Sequence, residues 1–157
     1  RVADGQTGIP LSGVQVLAFA GDGTVAFQGR IALAADGTGE VPSLSDGHYA
    51  IYVFSDGYAP RSMPIDLPSA PVGIAMTPGG RVEVRAGSMW SGRLVDAGGA
   101  PVLLSPFRLD GGVTAMPPVT VWDHLAPGAY RLLYGDNTAP GATFNVVEGQ
   151  TTQVTLN

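Results

Sequence analysis

Apolar and polar residues alternate along most of this chain, in short runs. GVQVLAFA (13–20) sets Val14 and Val16 against Gln15. HYAIYVFS (48–55) puts Tyr49, Ile51 and Val53 on one face and Ala50, Tyr52 and Phe54 on the other. RVEVR (81–85), AYRLLY (129–134), TFNVV (143–147) and TTQVTL (151–156) continue the style. A period of two is the side-chain repeat of an extended strand, and Gly, Asp or Pro bounds each run. No long stretch shows the helical period. RIALAAD (30–36) is short and has glycine at both ends, so it predicts one helical turn at most. The pattern predicts an all-β fold of short strands and frequent turns.

The runs recur in order. LSDGHYAIYV (44–53) aligns with LAPGAYRLLY (125–134), matching Leu44 to Leu125, Gly47 to Gly128 and Tyr49 to Tyr130. Ala59-Pro60 follows one and Ala139-Pro140 the other. RVADGQTGIPL (1–11) aligns with RLVDAGGAPV (93–102), and IDLPSAPVGIAM (65–76) with FNVVEGQTTQVTL (144–156), with a gap. The pattern breaks at TPGGR (77–81). The expectation is two tandem antiparallel β-sandwiches, transthyretin-like or immunoglobulin-like, over 1–78 and 79–157.

Six of the ten aspartates precede glycine: Asp4, Asp22, Asp36, Asp46, Asp56 and Asp110. Calcium would need six or more oxygens, usually from carboxylates at alternating positions, and no Asp-x-Asp-x-Asp occurs. The best local candidate, Asp36-Gly37-Thr38-Gly39-Glu40, offers two carboxylates and a hydroxyl. Asp-Gly between alternating runs is instead a hairpin signal, because both residues tolerate positive φ. Asp46-Gly47 becomes Pro127-Gly128 in the second half, which keeps a turn but no ligand.

Composition narrows the chemistry. The chain has 157 residues, 23 glycines, 13 prolines and a net charge of −5, so it carries no basic footprint for nucleic acid. All eight cations are Arg, which excludes lysine Schiff-base chemistry and a P-loop lysine. There is no Cys, so disulfides, thiolate catalysis and Cys-zinc sites are excluded. No apolar run reaches the roughly 18 residues of a membrane helix. The opening RVADG reads as the middle of a strand, hence as a fragment or processed product.

Taken in order, RVAD, GIPLSGVQV, DGTGEVPSLSDGHY and GYAP in the first half resemble carboxypeptidase regulatory-like domains. The second half keeps Asp96, Gly99, Pro101, Leu125, Gly128 and Tyr130, and MPPVTVWD (116–123) replaces one turn. The resemblance implies transthyretin-like sandwiches that are usually non-catalytic. Such domains occur beside carboxypeptidase domains and in tandem in large bacterial surface proteins. It therefore implies an extracellular or cell-envelope location.

Candidate chemistry is sparse. His48, in DGHY, and His124, in WDHL, read as surface or turn residues. GSMWSG (87–92) lacks the spacing of a nucleophile elbow. No catalytic, cofactor or metal residue is identified. Trp90 and Trp122, with Tyr58 or Tyr134, would form a sugar-stacking platform if exposed; core packing is favoured for Trp122, and Trp90 is assigned to the contact between halves. The leading reading is a structural or interaction module that meets protein partners, or copies of itself, through sheet edges. The alternatives are a polysaccharide-binding module and an accessory domain beside a peptidase or glycosidase.

Overall fold

The structure, a computed structural model, describes residues 1–100, 102, 114–134 and 139–156. Among these residues there is no helix, and the fold is all-β. The chain divides into two compact units, Arg1–Thr77 and Pro78–Asn157.

Unit 1 holds β1 (Val2–Asp4), β2 (Gly13–Ala20), β3 (Val25–Ala32), β4 (Gly47–Phe54), β5 (Arg61–Leu67) and β6 (Ile74–Met76). An antiparallel sheet runs β3-β2-β4-β5, while β1 and β6 pair in parallel. Val2 and Met76 meet Val14, Val16, Ala18, Ile51 and Val53 in a buried core between the two sheets.

Unit 2 holds β7 (Gly80–Ala86), β8 (Trp90–Asp96), β9 (Thr114–Met116), β10 (Val119–Leu125), β11 (Gly128–Tyr134), β12 (Ala139–Val146) and β13 (Thr151–Leu156). One sheet runs β12-β11-β8-β9 and the other β10-β7-β13. Val82, Val84, Trp122 and Val154 from the second sheet face Trp90, Leu94, Tyr130 and Leu132 from the first.

Antiparallel pairing was expected throughout, yet β1 with β6 and β7 with β13 are parallel. Alternation has the same period in both senses, so it cannot foretell direction. RIALAAD makes no helical turn. β3 continues to Ala32, and the chain then folds back, with Ala34 N donating to Thr38 O at 2.8 Å.

Strand order and register agree between the two four-stranded sheets, while β10 has no counterpart strand in unit 1. Tyr49 faces Ile65 as Tyr130 faces Phe144. Ile51 lies between Ala18 and Met63, as Leu132 lies between Leu94 and Ala142. One block of the sequence alignment is corrected by this register. Asp96 faces Tyr130, which is the place of Ala20 opposite Tyr49. Residues 93–102 therefore correspond to 17–26, not to 1–11. Their turns agree as well. Gly23 N donates to Ala20 O at 2.8 Å and Gly99 N to Asp96 O at 3.0 Å, with φ of 83° and 87° at the two glycines. Asp4 and Asp96 both end a strand at a glycine-bearing turn, and sequence shows the turn without showing which strand it follows.

Where the chain enters β4 and β11, a corner is built twice. Ser43 and His124 adopt left-handed backbone, φ 64° and 61°, and Gly47 and Gly128 both sit at φ 154°. The Tyr49 hydroxyl donates to Ser45 O at 3.0 Å, and the Tyr130 hydroxyl to Ala126 O at 2.7 Å. Such a tyrosine corner ties a central strand to the loop that precedes it. Burial, with a smaller contribution from Asp96, raises the Tyr130 hydroxyl above its ordinary pKa. Tyr130→Phe keeps the ring and removes the bond. It is expected to lower stability by about 1 kcal/mol, read as a lower denaturant midpoint at unchanged slope. A midpoint equal to that of the parent chain would show that the hydroxyl contributes nothing.

Candidate functional site

Asp4, Asp22 and Asp36, three of the aspartates that precede glycine, are spent on turns. In Asp22-Gly23-Thr24, Asp22 Oδ1 accepts from the Thr24 amide at 2.9 Å and hydroxyl at 2.7 Å. In Asp36-Gly37-Thr38, Asp36 Oδ1 accepts the same two bonds at the same distances. Gly37 has φ 80°, a conformation open to glycine, and a Cβ there would press on Pro10 at 3.1 Å. Both carboxyls are held below their ordinary pKa, first by the threonine hydroxyl and then by its amide. These are Asx turns, in which the carboxylate bonds the chain's own backbone two residues on. Asp110-Gly111 lies outside the described residues. Among the described residues, no three His, Asp or Glu side chains gather where they would hold a metal.

Asp4 is the most elaborate of these aspartates. Its Oδ1 accepts from the Gln6 amide at 2.9 Å, the Thr7 amide at 2.7 Å and the Thr7 hydroxyl at 3.0 Å. Its Oδ2 accepts from the Tyr58 hydroxyl at 2.8 Å, which joins β1 to the turn after β4. The Thr7 amide, and after it the Tyr58 hydroxyl, holds the Asp4 carboxyl down at about 2. The same bond raises the Tyr58 hydroxyl.

His48 lies opposite Asp66 in register, and His48 Nδ1 meets Asp66 Oδ1 in an exposed cross-strand pair. His124 is exposed and forms the left-handed corner before Leu125. The histidines thus serve a strand surface and a corner, and each belongs to a different unit.

Trp90 and Trp122 do not form a platform. Trp90 is 4% exposed and Trp122 7%, both inside the core of unit 2. Their rings meet edge to face, centroids 6.1 Å apart at 89°. Trp90 Nε1 donates to Pro117 O at 3.0 Å. Tyr58 is half-buried against the unit 1 core, with its hydroxyl on Asp4. Tyr134 takes part in the β11 ladder, opposite Gly92 and Ala139, but its side chain lies outside the described residues. Sugar stacking requires exposed ring faces, and Trp90 and Trp122 offer none.

No protein-family model matches the chain, and no curated protein matches it. Solved structures with a similar chain path include the minor pilin GBS52 of Streptococcus agalactiae (14% identity, 96% of this chain and 84% of that one, TM-score 0.41). Others are the TIE protein of Bacillus anthracis (14% identity, 99% and 32%, TM-score 0.40) and a streptococcal ancillary pilin (13% identity, 99% and 60%, TM-score 0.39). The chain thus spans about a third of the TIE protein and three fifths of the ancillary pilin. At these scores the likeness assigns no activity or partner to this chain.

Two outcomes follow from the side chains. Asp4 has a folded pKa below its ordinary 3.8, so its contribution to stability is complete above that value. It is lost as pH falls from 3.8 through about 2. Tyr58→Phe removes the second cause, so a carboxyl NMR titration is expected to show Asp4 moving up toward its ordinary value; an unmoved titration would uncouple the two residues. Trp122→Ala deletes a buried ring from a packed pair, and is expected to destabilise the chain by about 3–5 kcal/mol in equilibrium unfolding. A loss below about 1 kcal/mol would place the indole outside the core.

Proposed function

We propose that this chain is a non-catalytic structural or assembly module of a larger bacterial surface protein, built of two sandwiches of the carboxypeptidase regulatory-like class. The observation that carries the proposal is the use made of its polar residues. Asp4, Asp22 and Asp36 take hydrogen bonds from their own turns, and the two tryptophans fill a core. These five side chains are parts of the architecture. The ordered motifs of the first half and the shared strand order of both units support the family assignment.

Assembly needs a surface, and β3 provides it. In unit 1 the edges of the four-stranded sheet are β3 and β5. β5 carries Pro64, which has no N–H to offer a neighbouring strand. β3, VAFQGRIA, carries no Pro, has Arg30 as its one charged residue, and leaves Val25 45% exposed. An eight-residue edge with no proline and a single charge, Arg30, is a template for another strand.

Sedimentation velocity over a wide concentration range tests this on the 157-residue chain. Amides alternate in direction along an edge strand, so of Phe27→Pro and Gln28→Pro one removes an outward N–H and leaves the ladder to β2 intact. Association is expected in the parent chain and is expected to be lost in that variant. A monomer at every concentration would remove self-pairing through β3.

A further inference from the structure

Unit 1 contains a cleft of about 670 Å³ on the inner face of the β3-β2-β4-β5 sheet. Its walls include Val14, Ile31, Val41, Tyr49, Ile51 and Ile65. Register states what unit 2 carries at these places. Val14 faces Ile31 where Trp90 faces Met116. Ile65 faces Tyr49 where Phe144 faces Tyr130. Val41 stands three residues before Leu44, as Trp122 stands three before Leu125.

Unit 2 therefore places three aromatic rings where unit 1 has two valines and an isoleucine. In unit 2 the Trp90 and Trp122 indoles pack against each other, and Phe144 stacks on Tyr130 with centroids 6.1 Å apart. In unit 1 Ile31, Val41, Tyr49 and Ile65 remain half-buried around the opening. The four-stranded sheets match, no strand of unit 1 corresponds to β10, and Val41 leaves the volume of the Trp122 ring unfilled.

We infer that this cleft is a binding site for a small planar aromatic molecule of the indole class, which takes the place that tryptophan rings hold in unit 2. Its volume lies within the roughly 300–1,000 Å³ of small-molecule sites, and such sites are mainly apolar with a few polar groups. Ser69 and Thr38 supply hydroxyls in the wall. Arg1 and Glu40 are the charged residues of the lining, and Arg1 Nε is engaged by the Asp36 carbonyl at 3.0 Å. An uncharged ring system fits that surface better than an ion, because desolvating a charge against apolar walls is costly.

Indole titrated into the 157-residue chain, followed by amide NMR shifts, tests the inference. Saturable shifts are expected at Val14, Ile51 and Ile65, with none in β8 or β11. Val41→Trp supplies from within the ring that unit 2 carries at this place. It is expected to raise the thermal midpoint and to weaken indole binding by at least about tenfold. If that variant fails to fold, Ile65→Phe carries the same expectation, since phenylalanine stands at its counterpart. Absence of saturable shifts overturns the inference. So does undiminished binding to a folded filled variant, because the indole would then lie elsewhere.

Discussion

A tyrosine hydroxyl bonded to a carbonyl four residues upstream fixes the start of the central strand in each unit. The constraint is local, but its reach is not. It sets where β4 and β11 begin, and so which residues face β2 and β5, or β8 and β12. A slip of one residue would turn every inward side chain outward, because side chains alternate with a period of two. The left-handed residues Ser43 and His124 belong to the same device, since they aim the chain into the corner. A non-glycine side chain in that conformation carries strain, which the tyrosine bond and the buried ring of Tyr130 help to offset.

The turns work by a related economy of distance. A carboxylate that accepts from the backbone two or three residues on stabilises its turn without any long-range partner. The His48–Asp66 and Arg81–Asp123 pairs are exposed, and exposed pairs contribute roughly 0–1 kcal/mol. With no disulfide available, these units rest on register, turn chemistry and buried apolar surface. The bond from Tyr58 to Asp4 spans a long sequence separation, and it ties the first strand to the turn leaving the central one.

Much of this was legible in the sequence. Alternation exposed the strands and Asp-Gly the turns, because each depends on neighbours within a few residues; the matched Leu, Gly and Tyr of LSDGHY and LAPGAY marked the place of the corner without showing its hydrogen bond. What was missed depends on residues far apart. The parallel pairing of first and last strands left no mark on alternation. The turn at Asp96 was matched to the turn at Asp4, when its place in the sheet makes it the partner of the turn after β2. The tryptophans were weighed as a surface platform because ring type alone does not tell burial. Alignment of Trp122 with Val41 pointed inward, and the signal for Trp90 was its neighbour Gly92, the small residue on the same face.

That glycine shows how the two cores differ in filling. A Cβ at Gly92 would lie 2.8 Å from the Trp90 ring, closer than any packed contact allows. The counterpart of Gly92 is Val16, opposite Val53 as Gly92 is opposite Tyr134. Unit 2 thus combines a large residue with a small one, Trp90 with Gly92, and unit 1 combines two medium ones, Val14 with Val16. Each pair suits its own backbone, since a volume-conserving exchange is tolerated where a single enlargement is not. Across the other sheet the exchange is incomplete: Val41 stands for Trp122, with no larger neighbour to make up the loss. The sheet frame survives because corner and register hold it, not because its interior is filled to the same level. The cleft in unit 1 is then a consequence of which residues were made small, on a frame rigid enough not to collapse around them.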